Sequence, residues 1–134
     1  MSSGLLDTNT LILLGRLDAI HLPTEAHVTA ITLAELSVGP LLASSDEERA
    51  QRQAHLQQAE ADFEPLPFDA AAARTFGLVA ASLRRAGRKP TARSFDAMIA
   101  AIAITRDLPL HTCNPADFDY IDRLTVIAVP HPDH

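Results

Sequence analysis

An α/β fold, with a mainly parallel sheet carrying helices on its flanks, is what this sequence predicts. Short apolar runs of strand length alternate with longer helical stretches along the chain. Residues that start helices follow those runs directly: Asp7 after Leu5-Leu6, Thr32 after residues 27–30, and Asn114-Pro115 after residues 110–113. Strands joined through helices in this way pair in parallel and leave their carboxyl ends on one edge.

Residues 4–6 read as the first strand, and a helix is expected over about residues 8–17. Pro23 breaks the chain, and His27-Val28-Thr29-Ala30 is a short second strand. Thr32-Leu33-Ala34-Glu35 has the capping-box pattern, a hydroxyl and a carboxyl satisfying the first free N–H groups of a helix. It opens a helix to about residue 42, with Glu35 in its first turn. Ser45-Asp46-Glu47-Glu48 repeats the pattern and opens a polar helix to about residue 61, peripheral because its apolar face is thin. Residues 63–68, with Pro65 and Pro67, read as a short edge strand. Asp69 caps the next helix, which runs to about residue 86 and stops at Gly87. The basic loop Arg88-Lys89-Pro90-Thr91 leads to Ser94, the expected cap of a helix with Phe95, Met98, Ile99, Ile102 and Ala103 along one apolar face. Residues 110–113 form a strand, Asn114 is a cap with Pro115 at the first helical position, and residues 124–129 form the last strand. A single domain over residues 1–130 is expected, with residues 131–134 a flexible tail.

The 47% hydrophobic content of the 134 residues supports a real core, built from Leu, Ile, Val and Ala because aromatics are few. No apolar run approaches the roughly 18 residues of a membrane span, and no basic region precedes a long apolar segment at the N-terminus. Neither a membrane span nor a signal peptide is expected. Cys113 is the single cysteine, which fits a reducing cytoplasm. The net charge of −6 excludes a surface that binds nucleic acid throughout, but not a local basic site. Arg84, Arg85, Arg88, Lys89 and Arg93 place five of the eleven Lys and Arg residues within ten positions.

Acids recur where strands end and helices begin: Asp7, Glu35 and Asp96, followed by Asn114 and Asp117. Each has a local explanation. Asp7 and Asn114 suit N-caps worth about 1 kcal/mol, Glu35 completes a capping box, and Asp96 suits a helix dipole. Together they are less easily explained. Carboxylates sharing one edge repel by up to ~4 kcal/mol per pair at 4 Å and an effective dielectric near 20. A divalent cation resolves that repulsion, and hard oxygen donors suit Mg²⁺ or Mn²⁺. A site of this kind hydrolyses phosphodiesters, and the cations of residues 84–93 run into the helix bearing Asp96, where they can meet a phosphate backbone. The His residues lack metal-ligand spacing and there is no Cys pair, which argues against zinc. No glycine-rich phosphate loop is present.

Four collinear stretches resemble the PIN-domain family, and within it VapC-type toxins of bacterial type II toxin–antitoxin pairs. They are Leu5-Leu6-Asp7-Thr8-Asn9, Ile31-Thr32-Leu33-Ala34-Glu35-Leu36, Arg93-Ser94-Phe95-Asp96-Ala97-Met98-Ile99-Ala100-Ala101, and Thr112-Cys113-Asn114-Pro115-Ala116-Asp117-Phe118. The resemblance implies a three-layer α/β/α sandwich with a central sheet of four to five strands, and a Mg²⁺- or Mn²⁺-dependent endoribonuclease. It implies a homodimer held inactive by a cognate VapB-like antitoxin, acting on structured RNA such as tRNA. By motif position Asp7, Glu35 and Asp96 are the core acidic ligands, and Thr8, Asn9 and Thr112 orient them. The fourth ligand is left open between Asn114, a neutral oxygen at the position where the family often has an acid, and Asp117, three residues on. The antitoxin needs an apolar groove, for which residues 36–42 and the following polar helix are the expected walls.

Two other readings are weaker. Asp7-Thr8-Asn9-Thr10 approaches the Asp-x-Asp-x-Thr start of haloacid-dehalogenase-like phosphatases, but position 9 is Asn and Lys89 is the only lysine, in a loop. A catalytically silent PIN-fold binding module would not require Asp7, Glu35 and Asp96 together.

Overall fold

The computed structural model describes residues 2–89 and 93–133. Pro90 and Thr91 of the basic loop, and His134 of the tail, lie outside the described residues. Four parallel strands form one sheet in the order β2-β1-β3-β4, with helices on both sides. They are β1 (Ser3–Leu6), β2 (Glu25–His27), β3 (Leu110–Thr112) and β4 (Val126–Ala128). The central pair is β1 and β3, in a register that sets Leu5 against Leu110 and Leu6 against His111. The next step along both strands brings Asp7 and Thr112 together.

The helices are α1 (Thr8–Ile12), α2 (Ala30–Val38), α3 (Asp46–Asp62), α4 (Ala70–Arg85) and α5 (Ser94–Thr105). Helix α4 starts on Asp69, whose carboxylate accepts from the Ala72 N–H at 2.9 Å. It stops at Gly87, which takes φ 79° while the Arg88 N–H reaches back to the Leu83 carbonyl. Helices α4 and α5 build the main core against Leu5 and Leu110, with Phe118 and Ile121 closing it.

Helix α5 departs from the expected single apolar face. Ala97, Ile99, Ala100, Ala101, Ile102 and Ala103 are all at most 1% exposed, whereas Phe95 is 52% exposed. The alanines are the reason: small side chains let neighbouring elements approach the helix from several sides, so burial follows size rather than a stripe.

The caps also moved. Thr29, not Thr32, caps α2, its hydroxyl accepting from the Thr32 N–H at 3.1 Å. The helix therefore begins earlier, Glu35 falls in its second turn, and the Thr32 side chain is released from capping. Arg93, not Ser94, occupies the N-cap of α5, and no side chain caps it. Asn114 stands at the N-cap of the 3-10 turn Pro115–Asp117 without a side-chain capping bond.

Several predicted elements are shorter. Helix α1 closes at Leu13 and tightens into the 3-10 turn Leu14–Arg16, instead of running to residue 17. Helix α2 likewise gives way to the 3-10 turn Gly39–Leu42, led by Pro40. The second strand lies two to three residues earlier than expected, because Val28 and Thr29 pair instead with Leu66. Of the expected strand at 63–68 only that bridge forms, since Pro65 and Pro67 have no N–H to donate. The last strand keeps only Val126–Ala128. In the C-terminal segment, Asp133 pairs with Arg16.

On the sheet face opposite Leu5, the buried His111 ring lies over Gly4. A Cβ at position 4 would stand 2.4 Å from both Cδ2 and Nε2 of His111, and 3.2 Å from Pro23. Gly4→Ala is therefore expected to lower stability by about 1–3 kcal/mol through overpacking, measured as a urea unfolding free energy. An unchanged midpoint would mean that the imidazole can swing clear.

Candidate functional site

The site is built on Asp7, which β1 delivers to the carboxyl edge of the sheet. Its carboxylate is buried, and each oxygen has an assigned donor. Oδ1 accepts from the Thr10 N–H at 3.3 Å, capping α1. Oδ2 accepts from the Thr112 hydroxyl at 3.0 Å, across 105 residues of sequence. Thr112 is itself fixed, because its oxygen accepts from the Asn114 N–H at 2.9 Å. Burial raises the Asp7 pKa, and the bonds from Thr10 and Thr112 partly offset it. Asp7 is thus both a cap and a member of the acid cluster.

Glu35 is held by a relay of hydroxyls. Thr8 Oγ1 donates to Glu35 Oε1 at 2.7 Å and lies 3.0 Å from Thr32 Oγ1. A hydroxyl has one proton, so with Thr8 donating to Glu35, Thr32 must donate to Thr8. Burial raises the Glu35 pKa, and the charge of Asp7 raises it further. Thr32 and Thr10 were not singled out from the sequence as site residues. Thr32 carries the signal of a helix cap, and Thr10 only that of a hydroxyl in the turn after Asp7.

Asp96, in the first turn of α5, carries the clearest electrostatic signature. Its pKa is pushed up to about 6, first by burial and then by the charges of Asp117, Asp7 and Glu35, with Arg93 opposing. Four carboxylates from separate parts of the chain therefore share one field. Among the described residues no three His, Cys, Asp or Glu side chains are gathered tightly enough to hold a metal ion as they stand. One acid is already engaged: Asp117 Oδ1 accepts from Arg93 Nη1 at 3.0 Å. The donors are hard oxygens, and burial and mutual repulsion penalise their charge. That is the chemistry a divalent cation satisfies.

The other cations of the basic stretch are arranged differently. Arg85 bonds to Asp122 at 2.6 Å, and the Arg88 guanidinium lies 5.3 Å from the centre of the Tyr120 ring. Arg84 and Lys89 are exposed. Among the described residues, Arg93 is the member of that group paired with a site acid. Arg52 and His55 of α3 enter instead, lining with Thr8, Asn9 and Glu35 a hollow of about 270 Å³. Nothing in the polar pattern of α3 marked either residue.

The PIN domain family matches residues 5–124. The chain belongs to that family. Ribonuclease VapC5 of Mycobacterium tuberculosis (strain ATCC 25618 / H37Rv) is 41% identical over 124 residues, 90% of this chain and 89% of the relative. Ribonuclease VapC of Rickettsia bellii (strain RML369-C) is 30% identical over 109 residues, covering 81% of this chain and 80% of that one. The crystal structure of VapBC-5, a member of the VapBC family of toxin–antitoxin systems from Mycobacterium tuberculosis, matches with a TM-score of 0.82 at 38% identity. That match covers 96% of this chain and 100% of the other.

In this PIN domain the acid cluster predicts a stability signature. An acid whose folded pKa is raised binds its proton more tightly when folded. Its stabilising share is complete below the ordinary value of 3.8 and is lost as pH rises through about 6. Metal-free Asp96→Asn is therefore expected to be more stable than wild type at pH 7, on the order of 2 kcal/mol, with the gap closing toward pH 4. Thermal melts in EDTA across that range test it. An Asn variant equal to or weaker than wild type at pH 7 would mean that Asp96 serves only as a helix-dipole charge.

Proposed function

We propose that this PIN domain protein is a VapC-like endoribonuclease toxin, hydrolysing phosphodiester bonds of RNA with Mg²⁺ or Mn²⁺ and neutralised by a cognate VapB-like antitoxin. The observation that carries this reading is the 41% identity to ribonuclease VapC5 over 124 residues, in a chain that also brings Asp7, Glu35, Asp96 and Asp117 into one field. The identity to ribonucleases named VapC supports the substrate class. Structured RNA such as tRNA is the proposed substrate, and the cytoplasm the proposed location.

On this reading Asp7, Glu35 and Asp96 hold the ion. Asn114, whose side chain is not used in capping, and Asp117 are the candidates to complete its shell. When bound, the ion lowers the pKa of a water molecule and offsets charge on a phosphate oxygen. The chain's own groups do the positioning. Thr112 fixes one oxygen of Asp7 while the Thr10 N–H fixes the other. The Thr32–Thr8 relay fixes Glu35. Asn9, expected to orient the acids, is exposed at the hollow beside Glu35, and on this reading it and the Arg93 guanidinium meet the RNA backbone.

A larger cleft of about 520 Å³ runs beside this hollow, with Leu11, Ile12, Leu14, Leu36, Ala59 and Phe63 among its walls. Its walls come from α1, the turn after it, Leu36 of α2 and the far half of α3. Of the rest of the expected 36–42 wall, Leu41 and Leu42 turn outward, 83% and 72% exposed, while Pro40 is buried and Gly39 lines the hollow. Ile12, Leu36 and His55 border both cavities. An apolar antitoxin segment seated in the cleft could therefore extend into the site, and we place the antitoxin there. The toxin is proposed to act as a homodimer.

Purified protein is expected to cleave total bacterial RNA with Mg²⁺ or Mn²⁺ and not with EDTA, and Asp7→Asn and Asp96→Asn are expected to abolish cleavage. Metal-independent cleavage that survives both substitutions would sink the proposal. Thr112→Val removes the hydroxyl that orients Asp7 and is expected to lower metal affinity or cleavage rate by about 10–100-fold, read by Mn²⁺ titration and by initial rates on the same RNA. Wild-type affinity and rate in the Val variant would mean that Asp7 needs no such support.

A further inference from the structure

Asp117 is close enough to raise the pKa of Asp96, yet it is committed to a cation supplied by the chain itself. Arg93 reaches it from the N-cap of α5, a position where its side chain makes no capping bond. The two side chains are 32% and 39% exposed, so the pair is partly screened and open to exchange. Arg93 stands at the N-cap of α5, and Asp117 at the end of the 3-10 turn Pro115–Asp117. Three acids with oriented or buried carboxylates, Asp7, Glu35 and Asp96, are thus left facing one another while the fourth is neutralised.

We propose that Arg93 is a positioning residue that competes with the metal ion for Asp117, and so sets how many carboxylates the site offers. The inference rests on the metal-site reading above. With Arg93 on Asp117 the site presents three acids; with Arg93 drawn away it presents four. A phosphodiester has the charge and planar oxygen pair that a guanidinium fork prefers. Bound RNA would therefore draw Arg93 off Asp117, and the fourth carboxylate would become available when the substrate is in place. By linkage, whatever releases Arg93 tightens the ion and the ion favours the release of Arg93.

The test is Mn²⁺ titration by calorimetry at pH 7 on four full-length proteins: wild type, Arg93→Gln, Asp117→Asn and the double variant. Arg93 and Asp117 are both part-exposed, so folding of each variant is expected and is checked by circular dichroism. Arg93→Gln should bind Mn²⁺ about 3- to 30-fold more tightly than wild type, the size of coupling usual for residues in contact. Asp117→Asn should stay near wild type, because Asp117 is withheld there already. The double variant should lose most of the gain. Arg93→Lys, which keeps a charge but not the fork, should fall between wild type and Arg93→Gln.

Two results would overturn the proposal. No gain in Arg93→Gln would mean that Arg93 does not compete. An equal gain in the double variant would mean that only a nearby positive charge was removed, with no role for Asp117. Failure of the underlying metal site looks different: wild type itself would bind no Mn²⁺, and Asp7→Asn would change nothing.

Discussion

The structure depends on the way one buried carboxylate is held between the two central strands. Asp7 leaves β1 with one oxygen on the Thr10 N–H and the other on the Thr112 hydroxyl at the end of β3. Neither bond forms unless β1 and β3 pair in their observed register, Leu5 against Leu110 and Leu6 against His111. A slip by one residue would turn every side chain of the strand to the other face. Leu5 would leave the core, and Asp7 would lose Thr112. Fold and site are therefore fixed by the same pairing, and the polar contact inherits its accuracy from the apolar one.

That pairing concentrates negative charge. Elements far apart in sequence end at one edge, and with them come Asp7, Glu35, Asp96 and Asp117, whose charges are felt together at Asp96. The fold tolerates this through three devices. Hydroxyls and an N–H bind Asp7 and Glu35. Partial protonation is made easier by raised pKa values at Asp7, Glu35 and Asp96. A guanidinium neutralises Asp117. Each relieves only part of the repulsion, and none explains by itself why the acids were brought together.

Much of this was legible in the residues, for identifiable reasons. The strand-to-helix junctions at Asp7 and Asn114 are local chemistry, and the parallel sheet follows from their alternation with helices. Asp69 and Ser45 were read correctly as caps because a hydroxyl or carboxylate preceded a long helical stretch. Thr32 carries a false cap signal, because Thr29 offers the same hydroxyl three residues earlier and the Thr-x-x-Glu pattern coincides by chance with the wrong turn. The hydroxyl relay from Thr32 through Thr8 to Glu35 was invisible for the same reason, since a residue assigned to capping is not sought elsewhere. The burial of α5 on several sides is not legible in its periodicity, because alanine carries little weight there although its small size is what permits that burial. The pairing of Arg93 with Asp117 spans 24 residues and depends on how α5 meets the turn after β3. No local pattern encodes such a distance.

The positions of the two cavities extend the argument from charge to control. The hollow beside Glu35 and the apolar cleft beside it share Ile12, Leu36 and His55. The 3-10 turn Leu14–Arg16 carries Leu14, Gly15 and Arg16 to the cleft opposite Ala59 and Phe63 of the α3 end. A helix continuing to residue 17, as the apolar run alone would suggest, would present a different set of side chains there. The cleft is apolar along most of its length and ends at polar groups, so a segment that fills it needs an apolar body and a polar tip. A cationic tip passing from the cleft into the hollow would meet Glu35. Glu35 is one of the acids proposed to hold the ion, so the shared border of the two cavities is where an occupant of the cleft would come up against the proposed site.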